Sequence, residues 1–429
     1  MNLGKRLLVV GSLAVVGALC AGTNRALPAA QAPSLRMVVL LSRHGVRSAT
    51  KGAAATLKAY ASQPWPAWSV RPGFLTAHGA LIMRQLGAYY RKLYGPLLGF
   101  TTRTCPARSS VFVWADVDER TKVTADSMLQ GFAPGCGITV GHASGDSDPL
   151  FDPLPGAGVI DKSESDASIL GAVGGNLNAL AYAHSAEFAA LEHVLGCPPS
   201  ASTTASASSC REILQVPTTL ANDGDGGLAS LHGGLDIASD ATETLLLEYT
   251  DGKPAGWGRL DRSTLVRLLA LHVLAERLEH SNRYTAQAHS SNVMVHILQT
   301  LQEGATNRAV AGTRVPEQSR FVFLSAHDTQ EAEISGILGL SWLVDGDQDN
   351  DTSPSSALAF ELYRADDTGQ SFVRVYFISP TLDQMREGHV TTAMRVPVYV
   401  PGCPGFACPL GTFSTIVRSD TNPSFVTPW

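Results

Sequence analysis

Three stretches of the chain follow one plan. A run of apolar residues, mostly β-branched or aromatic, stops abruptly in polar and charged side chains. They read RMVVLLSRHG at 36–45, SVFVWADVDERT at 110–121 and RFVFLSAHDT at 320–329. A run that is apolar at every position must be covered on both faces, which is the pattern of a parallel sheet held between helix layers. Helical patterns lie between the runs. LTAHGALIMRQLGAYYRKLY at 75–94 opens on Thr76 as a cap, and DERTKVTADSMLQGF at 118–132 is a second amphipathic stretch. The expectation is an α/β fold: a central, mostly parallel sheet flanked by helices. Ligands in such a sheet gather beyond the carboxyl ends of the strands.

The chain has 429 residues, more than the ~100 to 200 typical of one domain. From about 160 to 300 helical patterns dominate, among them NLNALAYAHSAEFAALEHVLG and STLVRLLALHVLAERLEH. The stretch PPSASTTASASS at 198–209 is too small and polar to build a core and reads as an exposed loop. The expected division is therefore a sheet domain from residues 33–160 plus 300–429, with a smaller helical domain, 161–299, inserted. VRVYFIS and RVPVYVPGC in the tail read as further strands of the same sheet.

The N-terminus carries Lys5 and Arg6, then an apolar run from Leu7 to Cys20 of secretory-signal length. Residues 1–32 read as a signal peptide and leader, which implies a periplasmic or secreted protein with no membrane association after cleavage. Removal of Cys20 leaves six cysteines, an even number that suits disulfides outside the cytosol. Fifteen connectivities are open to six cysteines; pairing of chain neighbours, 105–136, 197–210 and 403–408, is the simplest expectation. A net charge of −6 argues against nucleic acid as a partner. No CxxC or HExxH motif occurs, so neither a metal nor a cofactor is expected, and the protein is expected to be a monomer.

If the strand tips meet, Arg43, His44 and Arg47 come together with Arg120 and with His327 and Asp328. Guanidinium groups donate in a fork that matches phosphate oxygens. A neutral imidazole among them can attack phosphorus and hold a covalent intermediate until water clears it. Positive neighbours keep His44 unprotonated at lower pH than a free histidine. Gly45 permits a sharp turn, and its carbonyl is placed to fix the ring tautomer. The leaving alkoxide needs a proton, and Asp328 is the carboxyl beside the clamp. Acting as an acid near pH 5 would require it to be raised above the ~3.9 of a free aspartate.

RHGVRSATK resembles the RHGxRxP signature of the histidine acid phosphatases, and SAHDT resembles their later His-Asp motif. ADVDERT is similar to the segment that supplies their third phosphate-binding arginine. GFLTAHG, SDPLFDPL, GWGR and the cysteine spacing extend the likeness, which leans toward the bacterial periplasmic phytase and glucose-1-phosphatase branch. The resemblance implies His44 as the phosphorylated nucleophile and Asp328 as the proton donor. It implies Arg43, Arg47, Arg120 and His327 as phosphate ligands, and Thr50 and Lys51 as substrate contacts. The partner implied is a small-molecule phosphate ester. Three departures stand out: Ala49 replaces the motif's proline, Gln330 stands where the phytase-like enzymes usually have Asn, and 288–292 lacks a basic residue they tend to carry there.

Other readings are weaker. No G-x-S-x-G elbow or GK[ST] phosphate loop occurs. His78, His142, His184, His193, His232, His289 and His296 show no partner pattern and read as surface or helix-packing residues. Asp328 could serve only as a helix cap. The rival from another class is a non-catalytic periplasmic anion-binding protein, which would need the arginines but neither Asp328 nor a nucleophilic ring.

Overall fold

The computed structural model describes residues 32–101, 104–154, 156–197 and 210–429. The signal and leader, apart from its last residue, and the PPSASTTASASS loop lie outside the described residues. The first apolar run forms β1 (Ser34–Arg43). It is followed by α1 (Lys51–Thr56), α2 (Ala77–Tyr94), β2 (Val111–Ala115), α3 (Glu119–Phe132) and the two-residue β3 (Gly141–His142). The middle contains α4 (Lys162–Ala172), α5 (Leu177–Ala183) and α6 (Ser185–Leu195), then a hairpin of β4 (Thr219–Ala221) and β5 (Ser230–His232). Three long helices follow: α7 (Gly234–Thr250), α8 (Arg262–Glu279) and α9 (Arg283–Thr306). The chain returns through β6 (Phe321–Ala326), α10 (Asp328–Leu338), β7 (Ala357–Arg364) and β8 (Ser371–Ser379). It ends with α11 (Leu382–Glu387), β9 (Met394–Val398), β10 (Cys408–Pro409) and α12 (Leu410–Asp420).

The strands of the large sheet run in the order β10-β8-β7-β1-β6-β2-β3, with β9 also paired to β8. The fold is thus α/β, with a central sheet flanked by helices. β1 pairs with β6 in parallel, Val38 opposite Phe321 and Arg43 opposite Ala326. β2 lies parallel to β6 on its other side, Ala115 opposite Ser325. This register brings the polar ends of all three apolar runs to one level. Along β1 the side chains alternate between two cores. Val38 and Leu40 enter the one shared with α2, α3 and α7, while Met37, Val39 and Leu41 enter the one shared with α9, α10 and α12. Burial on both faces is why β1 shows no polar alternation.

The tail strands β7 to β10 add to the sheet antiparallel. VRVYFIS and RVPVYVPGC contribute to β8 and β9 as expected. β7, ALAFELYR, sits directly against β1 and has no counterpart in the sequence reading. Its alanines, leucines and glutamate favour helix in isolation, and only burial in the sheet makes it a strand. Thr76 caps α2, accepting from the Gly79 amide. The disulfides join chain neighbours: Cys105–Cys136, Cys197–Cys210 and Cys403–Cys408.

Helices α2 and α3 cross at backbone contact. A Cβ on Gly87 would lie 2.0 Å from the Met128 carbonyl oxygen, and one on Gly131 would lie 1.8 Å from that of Arg84. Since Thr124 of α3 accepts a hydrogen bond from the Gly45 N–H at the end of the first apolar run, this crossing also sets the position of that turn. Gly87→Ala should destabilise the protein by about 2 kcal/mol or more, lowering Tm by several degrees in a thermal melt. An unchanged Tm would show that the helices separate freely.

Candidate active site

β1 ends in Arg43, whose side chain is wholly buried. One guanidinium nitrogen, Nη1, donates to the Thr352 carbonyl (2.6 Å). The other, Nη2, faces two carboxylates, Glu243 at 2.6 Å and Asp328 at 2.7 Å. Its backbone N–H donates to Glu331 Oε1 (3.0 Å), a buried carboxyl behind the strand tip. His44 follows, with Nδ1 2.8 Å from the Gly45 carbonyl oxygen. Nδ1 must therefore carry the proton, which leaves Nε2 as the basic nitrogen. The Gly45 N–H donates to Thr124 Oγ1 on α3 (2.9 Å). Gly79 lets α2 press against the same loop, since a Cβ there would sit 2.3 Å from the Val46 carbonyl oxygen. The GFLTAHG segment is thus the clamp on the RHG turn.

Arg47 reaches back so that its Nη2 also pairs with Glu243 (2.7 Å). From the β2 tip, Arg120 pairs with Asp118 (2.7 Å) and donates to His327 Nδ1 (3.3 Å). His327 Nε2 donates to Asp116 (2.8 Å), so this imidazole carries its proton on Nε2, the opposite tautomer to His44. The two rings stand 5.5 Å apart, nearly perpendicular. Gln330 accepts from the His327 backbone N–H (3.1 Å) and donates to the Phe151 carbonyl (3.2 Å). His327 occupies the cap position of α10 and Asp328 is its first helical residue, so capping is not the duty of Asp328.

Electrostatics follow from this packing. Burial, then the charges of Arg120, Arg47 and Arg43, hold the His44 imidazole well below the ordinary histidine range. Burial pushes the Asp328 carboxyl up, but Arg43, His44 and Arg47 outweigh it and hold the group below the usual carboxylate range. This corrects the expectation that Asp328 is raised: in the free site it is an ion-pair partner of Arg43. Glu243 behaves alike, with burial opposed and overcome by Arg47 and Arg43. Glu331, out of direct reach of any guanidinium, is pushed up to about 8 by burial.

These groups line a cavity of about 490 Å³. His44, Arg47, Arg120, His327, Asp328 and Thr50 all border it, with Arg43 behind them. Thr50 also caps α1 through the Ala53 amide. Lys51 is exposed at the start of α1 and does not border the cavity. His289, read from sequence as surface or packing, is buried, borders the cavity and lies 2.9 Å from Glu333. Sequence reasoning missed Glu243, Asp116, His272 and Glu331. Glu243 and His272 are lone residues in helices without a motif around them, whereas Asp116 lies within ADVDERT and Glu331 just beyond SAHDT, and neither was singled out from its segment. Asp116, Asp118 and His327 could share a cation, as could Glu243, His272 and Asp328, but the arginines already balance most of these carboxylates.

A model of the histidine phosphatase superfamily (branch 2) matches residues 34–199 and 247–378. The chain belongs to that family and is a histidine acid phosphatase of the phytase-like kind. It is 33% identical to the phytase AppA of Escherichia coli (strain K12), covering 82% of each chain. It is 24% identical to the glucose-1-phosphatase of Providencia rettgeri, covering 85% of each. Among solved structures, the Hafnia alvei phytase in complex with myo-inositol hexakis sulphate matches with a TM-score of 0.82 and 30% identity, covering 94% of this chain and 100% of that one.

In the free site Glu243 occupies the guanidinium atoms that an incoming anion would use. Glu243→Gln should tighten inhibition by inorganic phosphate roughly tenfold, equivalent to about 1.4 kcal/mol, measured as a lower inhibition constant. Weaker inhibition would show that Glu243 supports the anion site instead of competing for it.

Proposed function

We propose that the protein is an exported acid phosphomonoesterase that works through a phosphohistidine at position 44. The observation that carries this reading is a buried imidazole, its tautomer fixed by the Gly45 carbonyl, set among three guanidinium groups. On binding, the phosphoryl oxygens take the places of Glu243 and Asp328 on Arg43 and Arg47, with Arg120 holding the remaining oxygen position and His327 joining it provided that its Nε2–H turns from Asp116 to the phosphate. His44 Nε2 attacks phosphorus in line, and the bond to the ester oxygen breaks. The arriving dianion spends the positive charge that held Asp328 ionised and adds negative charge beside it, and both raise its proton affinity. Asp328 can then hand a proton to the departing alkoxide. As a carboxylate again, it takes a proton from water, which attacks the phosphohistidine and releases inorganic phosphate and free His44.

The accepted partner is a small phosphate monoester; inositol phosphates and sugar phosphates are the classes that the relatives' names suggest. Among the described residues no helix is long and apolar enough to cross a membrane, and the N-terminal run supports a periplasmic or secreted location. The strands of the large sheet come from residues 34–142 and 321–409, which supports a sheet domain of 33–160 plus 300–429. Residues 161–299 would then be the insertion that shapes the leaving-group side.

His44→Ala should abolish turnover, and acid quench of the parent with labelled substrate should trap one phosphate on His44. A parent that binds phosphate without turnover would favour the anion-binding reading instead. Asp328→Asn should slow alkyl phosphates at least a hundredfold more than p-nitrophenyl phosphate, whose phenolate leaves with little help; equal losses would remove the acid role. Because His44 is held below its ordinary value of 6.5, the neutral, reactive form persists as pH falls. kcat/KM should therefore hold or rise from pH 6.5 toward 5, and a fall centred near 6.5 would contradict the site.

A further inference from the structure

Beyond the clamp, the cavity wall has an unusual charge. Asp152, Asp225, Asp236, Asp240, Glu276 and Glu279 all border it, while the only lysine or arginine side chains that do so among the described residues are Arg47 and Arg120. Both belong to the phosphate end and are already paired, with Glu243 and Asp118. The carboxylates of Asp236 and Asp240 have no hydrogen bond or ion pair among the described residues, and Glu276 Oε2 is buried without a partner. His289 offers little relief, since its Nδ1 is committed to Glu333 and only its Nε2 approaches Asp225, at 3.6 Å. An independent sign of a ligand is His272 on α8. It is 96% buried, being only 4% exposed. Its Nδ1 meets Ser239 Oγ at 2.9 Å, while its Nε2, on a ring that borders the cavity, has no partner. A ring nitrogen of His272 lies within 4.8 Å of carboxylate oxygens of Glu243 and Asp328, and Asp328 is the group to which the proposed function assigns the leaving alcohol's proton.

We propose that this wall is a subsite for an ammonium group, so that the enzyme prefers phosphate monoesters of amino alcohols or amino sugars and disfavours polyanionic esters such as inositol hexakisphosphate. This deepens the phosphatase reading and rests on it. An anion clamp at one end and an acidic wall at the other match a zwitterionic substrate, with phosphate and ammonium at opposite ends. A polyanion that places one phosphate on the arginines must push the others against carboxylates, and like charges in a partly desolvated cavity repel strongly. The state of the wall agrees. Burial, then the charges of Glu243 and Asp236, push Asp240 up to about 7, and burial pushes Glu279 up to about 7. Such groups gain from an arriving cation.

The test compares two sugars of one shape, glucosamine 6-phosphate and glucose 6-phosphate, near pH 7, where Asp240 and Glu279 are about half ionised, with a chelator present. The amine should raise kcat/KM by about tenfold or more, the effect of one added ion pair of ~1.4 kcal/mol, and inositol hexakisphosphate should be the poorest of the three. Equal values for the two sugars would overturn the proposal. So would inositol hexakisphosphate as the best substrate, or a preference for it that appears when a divalent cation is supplied. Turnover of p-nitrophenyl phosphate reports separately on the underlying phosphatase reading, and its absence would overturn that reading and the subsite with it. The Asp240→Asn/Glu279→Gln double variant should bring the sugar ratio toward one. Asp225→Asn, at an exposed position that cannot compromise the core, should lower it in the same direction; a ratio unmoved in both would contradict the assignment.

Discussion

Everything at this site depends on a guanidinium that has no access to water. Arg43 sits at the tip of the central strand with its charge balanced by Glu243 and Asp328. An unpaired charge at such depth would be strongly destabilising, so the free site must contain carboxylates where the substrate's oxygens will go. The fold therefore stores its anion site in an occupied form. In the proposed function, binding is an exchange of one set of negative oxygens for another, and the exchange alters the proton affinity of Asp328 at the moment when a proton is required.

The scaffold makes that exchange local. β1 and β6 hold their tips in register, α3 ties the RHG turn through Thr124, and α2 closes on it through Gly79. His44 and His327 carry opposite tautomers because each is read by a different acceptor, the Gly45 carbonyl in one case and Asp116 in the other. One ring is thereby left with a basic nitrogen for attack, while the other is braced between Arg120 and Asp116. Glu331 acts from behind, fixing the backbone of Arg43, while Gln330, which borders the cavity, fixes that of His327.

The convergence of Arg43, His44, Arg47, Arg120, His327 and Asp328 was legible in the sequence because these residues sit at or just beyond the ends of buried strands, where apolar runs stop at charged groups. The β1, β2 and β6 tips, the Thr76 cap of α2 and the amphipathic pattern of α3 follow from local sequence. What could not be read came from partners distant in the chain. Glu243 stands 200 residues from Arg43 and lies within a helix whose other residues give no hint of function. β7 was hidden because ALAFELYR is good helix sequence that only the neighbouring strands override. The protonation of Asp328 was misjudged for a related reason: burial was foreseen, but the 2.7 Å contact with Arg43 is a tertiary fact. The acidic wall likewise exists only once α7, α8 and the loops around 152 and 225 are brought together.

The stereochemical course at phosphorus bears most directly on whether His44 takes the phosphoryl group. A monoester made chiral with oxygen isotopes, with transfer to an added acceptor alcohol followed by NMR, reads out the number of displacements. Two in-line steps through a phosphorylated imidazole predict net retention of configuration. Inversion would mean that the acceptor attacks the ester in a single step, and the account given for position 44 would be contradicted.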